Sequence, residues 1–78
     1  MPAQIEELCD AVARGEEAQS GALAHKIAGI AGNVGGNALH QVATAMDAAG
    51  RAGDFAGLRD RLPELLLQYQ RLKEAMGK

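Results

Sequence analysis

The sequence predicts an all-α fold, an antiparallel up-down four-helix bundle. Three observations carry this expectation. Apolar residues recur at steps of three and four along most of the chain. Strand formers are scarce, with few β-branched residues, one Phe, one Tyr and no Trp, and there are only two prolines in 78 residues. The connections between the periodic stretches, at Gly15, Gly35-Gly36 and Gly53-Asp54, are short, which makes consecutive helices antiparallel neighbours. A core built mainly of Ala and Leu suits closely packed helices.

The first helix is expected from about Pro2, which is tolerated at a helix start, to Arg14. Ile5, Leu8, Cys9 and Val12 form its stripe, and Gly15 stops it. The second begins near Glu16 and Glu17, whose charges suit a helix N-terminus. It runs to about Asn33, where Gly35 and Gly36 break it, with Leu23, Ile27, Ile30 and Val34 as its apolar stripe. The third covers about Asn37 to Arg51, with Asn37 as N-cap and Leu39, Val42 and Met46 as its stripe. Gly53 and Asp54 then form a turn, with Asp54 capping the last helix. That helix has a heptad-like seam of Phe55, Leu58, Leu62, Leu65, Tyr69, Leu72 and Met76. Pro63 interrupts the seam, so a kink, or a short helix that ends and restarts, is expected there.

Residues 1–78 read as a single domain, without repeats, linkers or low-complexity segments. The net charge is -2, and no Lys/Arg cluster interleaves with aromatics, so nucleic acid is not an expected partner. No apolar run is long enough to span a membrane and no signal peptide is evident. Cys9 is the only cysteine, so no internal disulfide forms, and a reduced, cytoplasmic setting fits.

The most informative residue is His25. At about 100° per residue it points about 170° to 180° away from the centre of the Leu23–Val34 stripe. Gly21, Ala28, Gly29 and Gly32 project on the same outer side. Each glycine inside a helix costs roughly 1 kcal/mol relative to alanine, so three around one histidine do not serve helix stability. They leave bare backbone, over which another protein can approach the imidazole. Neutral imidazole is a nucleophile near pH 7 and can hold a phosphoryl group covalently, with a partner supplying the metal and catalytic groups.

The run Ala24-His25-Lys26-Ile27-Ala28-Gly29-Ile30-Ala31-Gly32-Asn33-Val34-Gly35-Gly36-Asn37-Ala38-Leu39 resembles the signature of histidine phosphotransfer (HPt) domains of bacterial phosphorelays, roughly Ala-His-x-Leu-Lys-Gly-x-x-x-Asn-x-Gly-x-x-x-Leu. The stretch from Val42 to Asp54 also resembles that family's third helix and following turn. The resemblance implies a four-helix bundle in which His25 accepts a phosphoryl group from the aspartyl phosphate of a response-regulator receiver domain and passes it to another receiver. It implies no cofactor of the chain's own, with Mg²⁺ supplied by the receiver. It implies a phosphocarrier rather than a kinase, either free-standing or the C-terminal part of a hybrid histidine kinase. Gly29 matches the glycine that permits close approach, while Asn33 and Gly35 match the end of the phosphorylated helix and the turn after it. The sequence departs from the pattern at Ala28, where the family carries lysine. The nearby Lys26 lies about 100° around the helix from His25.

Other readings of the same residues are weaker. His40 reads as a helix-surface residue. The glycine run follows a helix and matches neither nucleotide-binding loop. Cys9, His25 and His40 lack zinc-ligand spacing. Ser20, His25 and Asp47 match a triad by residue type only, since no strand-turn-helix elbow is present. The competing function is a non-phosphorylated helical module that binds and modulates a receiver or a histidine kinase. Further removed is a helical domain with a purely structural role.

Overall fold

The structure, a computed structural model, describes residues 2–76 and the side chains of residues 3–75. Among them every regular element is a helix: α1 (Pro2–Ala13), α2 (Glu17–Asn33), α3 (Asn37–Arg51), α4 (Phe55–Asp60) and α5 (Leu62–Met76). The expected fourth helix is thus two, broken at Arg61. Pro63 has no N–H for the hydrogen bond to Arg59 that a continuous helix needs, but it is tolerated in the first turn of α5. The chain restarts there through the Leu65 N–H donating to Arg61 at 3.0 Å.

The three turns before α4 repeat one device. Gly15, Gly35 and Gly53 have φ of 71°, 77° and 74°, a left-handed conformation that any side chain would strain. In each, the next residue donates its N–H back to a carbonyl five residues earlier: Glu16 to Ala11 at 2.9 Å, Gly36 to Ala31 at 2.9 Å and Asp54 to Ala49 at 2.8 Å. That bond satisfies the end of one helix while the same residue opens the next. Asp54 caps α4 as expected, accepting from the Gly57 N–H at 3.0 Å. Asn37 does not cap α3; Gly36 takes that place with no side-chain bond. The turn sets the register: the Gly36 N–H closes back on Ala31 while its carbonyl already accepts from the His40 N–H at 2.8 Å, which makes Asn37 the first helical residue.

The core collects Ile5, Leu8 and Val12 from α1, Leu39 and Met46 from α3, Leu58 from α4 and Leu65 from α5 around α2. α1 packs on α2, α2 on α3, and both α4 and α5 on α3. Phe55, Leu62, Tyr69 and Leu72 flank this core as the seam predicts. The expected place of Met76 in that seam lies outside the described side chains.

α2 departs from its predicted orientation. Its buried residues are Ser20, Leu23, Ala24, Ile27, Ala28 and Ala31, whereas Ile30 is half-buried and Val34 is exposed. The burial direction is therefore turned by about 60° from the Leu23–Val34 stripe, toward the Ala24–Ala28–Ala31 row. Small residues let α3 come close, and close packing buries more than the larger aliphatic side chains do alone. Ala28, expected on the outer face beside His25, is 7% exposed and belongs to the core.

The α2–α3 seam and His25

Three contacts fix the register of α2 against α3. Gly21 meets Gly50, His25 meets Asp47, and Ala28 with Gly32 meets His40. Residue numbers rise on α2 as they fall on α3, so this pair of helices runs antiparallel. At one end a Cβ built on Gly50 would stand 3.1 Å from the Gly21 Cα, so the two backbones touch without intervening side chains. One turn further along α2, His25 stands at the rim of the seam. The rotation of α2 that buries Ala28 is the same rotation that carries His25 from the apex of the outer face to the edge of α3.

His25 is exposed, with its side chain 66% accessible, and its Nδ1 lies 3.1 Å from Asp47 Oδ2. The second carboxylate oxygen, Oδ1, accepts from Arg51 Nε at 3.1 Å. Asp47 itself is largely covered. Partial burial pushes its carboxyl pKa up, but the hydrogen bonds from His25 and Arg51 and their charges outweigh this, and the net shift is downward. An ionised carboxylate has no proton to give, so in the neutral ring Nδ1 carries the hydrogen and Nε2 carries the lone pair. The ring is held at one nitrogen and nucleophilic at the other. Positive charge that develops on the imidazole when Nε2 forms a bond is offset by the carboxylate on the opposite side.

Beside the ring lies a groove of about 360 Å³ between the two helices. Gly21, Ala22 and Gly50 line it along with His25, Asp47 and Arg51. Arg51 is the one Lys or Arg among the described residues that lines it. Among the described residues only its Nε is engaged, and its side chain is 71% accessible.

The other predicted residues separate into distinct situations. Gly29 is open, with nothing within 4 Å of where a Cβ would be. Gly21 was expected to lie bare for a partner but is half-buried against Gly50. The space at Gly32 is taken by His40, whose Nδ1 would lie 3.4 Å from a Cβ there. Lys26 is exposed and makes no ion pair among the described residues. Asn33 is the last residue of α2, about 12 Å along the axis from His25, and is not brought to it. Ser20 is fully buried with its Oγ unpaired, so His25 and Asp47 form a pair with no serine to activate. Arg51 was missed as a partner of His25 by sequence reasoning, and Asp47 was set beside His25 only in a triad reading that was put aside. The available signal was symmetry: an antiparallel hairpin folded at Gly35 sets residues 25 and 47 nearly opposite each other.

Among the described residues no cluster of three or more His, Cys, Asp or Glu side chains is placed to hold a metal ion, and no helix is long and apolar enough to cross a membrane. The model of the family described as Hpt domain matches residues 1–75. The chain belongs to the Hpt domain family, whose members carry phosphoryl groups on histidine in phosphorelays and interact with receiver domains. Comparison with curated proteins gave no significant match, and comparison with solved structures gave none either.

Proposed function

We propose that His25 is the phosphoacceptor and that the chain relays a phosphoryl group from one receiver domain to another. The observation that carries this reading is the exposed imidazole tied through Nδ1 to Asp47 at 3.1 Å. In the transfer, His25 Nε2 attacks the phosphorus of the receiver's aspartyl phosphate. The N–P bond forms, the P–O bond to the aspartate breaks, and the receiver's carboxylate leaves with the electron pair. The Nδ1 hydrogen stays on the ring, facing Asp47, and the reverse sequence delivers the group to the next receiver. The chain supplies positioning and a charge partner for the imidazole; Mg²⁺ belongs to the receiver, where it offsets the phosphoryl charge.

Arg51 takes over the role that lysine at position 28 plays in the family signature. Its guanidinium borders the groove beside His25, whereas position 28 faces the core. Lys26 contributes less directly, from the exposed side of α2. Gly29 gives the receiver access to bare backbone, and Asn33 acts at the end of the helix rather than on the phosphoryl group. In this reading the helices alternate up and down, the domain works in the cytoplasm, and the upstream source is a receiver, free or part of a hybrid histidine kinase.

The second reading is a non-phosphorylated module that binds and modulates a receiver or kinase. The specific observation in its favour is that position 28 is a buried alanine. Phosphotransfer from a panel of radiolabelled aspartyl-phosphate receivers separates the two. Acid-labile, base-stable label on the wild type, absent from His25→Gln, supports the relay. A folded chain that binds a receiver but takes no label supports the module.

A further inference from the structure

We infer that His40 is a second recognition residue of the phosphotransfer face, its Nε2 accepting a hydrogen bond from an N–H or O–H donor of the docked receiver. This inference rests on the relay reading above. It starts from Gly32, which projects about 20° from His25 around the α2 axis and so shares its face. The place of the missing Gly32 side chain is filled from α3: a Cβ there would stand 3.4 Å from His40 Nδ1 and 3.6 Å from its Cε1. His40 thus lays its ring on the outer face of α2 although it belongs to another helix.

The ring's orientation is fixed. Nδ1 lies 2.7 Å from the Ala28 carbonyl oxygen. A carbonyl only accepts, so Nδ1 carries the hydrogen and the neutral ring's lone pair is on Nε2. The Nε2 atom has no hydrogen-bond partner among the described residues, and the residue is exposed. His25 and His40 therefore share one arrangement, each with Nδ1–H tied to an acceptor of the protein and Nε2 left free.

Ala28 and Gly32 lie three and seven residues beyond His25, about 4.5 and 10.5 Å along the helix axis. A specific interface covers about 800 Å² on each partner, a patch about 30 Å across, so a receiver docked on His25 covers His40 as well. Gly29, between them, puts no side chain in the way. Docking strips water from Nε2, and an acceptor left without a donor weakens the complex. Receivers that place a donor at this point are favoured over those that do not, which makes His40 a discriminating contact.

The test uses the full chain with aspartyl-phosphate receivers, taking the receiver that transfers fastest to the wild type. Two variants separate recognition from structure. His40→Phe keeps a ring but neither donates to Ala28 nor accepts from a partner. His40→Gln retains both a donor and an acceptor. The expected result is that His40→Phe raises KM for the receiver about tenfold with kcat within twofold, and that His40→Gln recovers most of the loss. Unchanged KM in both variants overturns the inference. So does a fall in kcat that tracks lowered melting temperature in both, since that marks a structural clamp alone. Label on His40 in the His25→Gln chain also overturns it, by making His40 an acceptor rather than a docking contact. No transfer to the wild type from any receiver overturns the relay reading and this inference together, whereas transfer with unchanged KM removes only this one.

Discussion

Asp47 holds His25 from the neighbouring helix, its Oδ2 lying 3.1 Å from the imidazole Nδ1 while Oδ1 accepts from Arg51. One carboxylate thus fixes the ring's tautomer and orientation and ties Arg51 beside it. Asp47→Ala is expected to slow phosphotransfer on the order of tenfold, about 1.4 kcal/mol of barrier, with receiver binding little changed. Asp47→Asn, whose amide oxygen still accepts from Nδ1–H, should lose less. Single-turnover kinetics with a phosphorylated receiver read this directly, and equal rates for all three proteins would show that the tie does not matter.

Arg51→Ala removes the only Lys or Arg among the described residues that lines the groove beside His25. Transfer should fall roughly three- to tenfold, and the phosphohistidine should turn over faster, since charge-assisted bonds to a phosphoryl group contribute modestly at exposed sites. Arg51→Lys should restore only part, because lysine cannot engage Asp47 and a phosphoryl oxygen with one planar fork. Lys26→Ala provides the comparison and should do less.

The depressed Asp47 pKa has a definite consequence under acid. A carboxylate whose pKa is lower folded than unfolded stabilises the fold above its unfolded value of about 3.9, and that contribution disappears as pH falls through the folded value. Melting curves of the wild type and Asp47→Asn should therefore differ at pH 7 and draw together as the pH falls below the unfolded value and through the lower folded one. Curves that remain parallel would mean that the ion pairs add nothing to stability. Between pH 5 and 8 the carboxylate stays ionised.

The glycines of the seam should respond in opposite directions. Gly29→Ala fills open space and should gain up to about 1 kcal/mol of helix stability, while slowing transfer if a receiver lies over that position. Gly50→Ala puts a Cβ 3.1 Å from the Gly21 Cα and 3.3 Å from Leu58 Cδ1, and should lower stability by about 1 to 3 kcal/mol as the helices are pushed apart. Thermal melts beside transfer rates separate access from packing.

Ala28→Lys restores the family's residue but not its surroundings. With 7% exposure at this position and His40 seated on its carbonyl, the lysine stem must crowd α3. A loss of about 1 to 3 kcal/mol is expected, with no gain in transfer rate. A faster, equally stable variant would show that the seam opens easily enough to admit a lysine.

Much of the fold was legible because helix ends here carry chemical punctuation. Gly15, Gly35 and Gly53 mark every turn up to α4, Asp54 caps where expected, and Pro63 divides the last helix. The face of α2 was harder to read. Its stripe of Leu, Ile and Val marks where large side chains lie, but Ala24, Ala28 and Ala31 decide the burial direction, and alanine carries little hydropathic signal in either state. The site was half-legible for a related reason. His25 stood out by its own glycine surround, while Asp47 and Arg51 gain meaning only once α3 is laid antiparallel against α2. Asn37 failed as a cap because the turn places Gly36, whose carbonyl accepts from the His40 N–H, one residue ahead of it at the helix start.

The three-residue turn at 34–36 also bears on how the chain folds. It joins the two helices that carry His25, Asp47, Arg51 and His40, so the whole site closes over one local hairpin. Loop closure over so few residues costs little entropy, and contacts between sequence neighbours form early and fast. The surface around His25 is therefore built from one contiguous stretch of chain, which Leu72 of α5 meets at Gly36 in the turn. The register that sets His25 against Asp47 is thus fixed within α2, one short turn and α3.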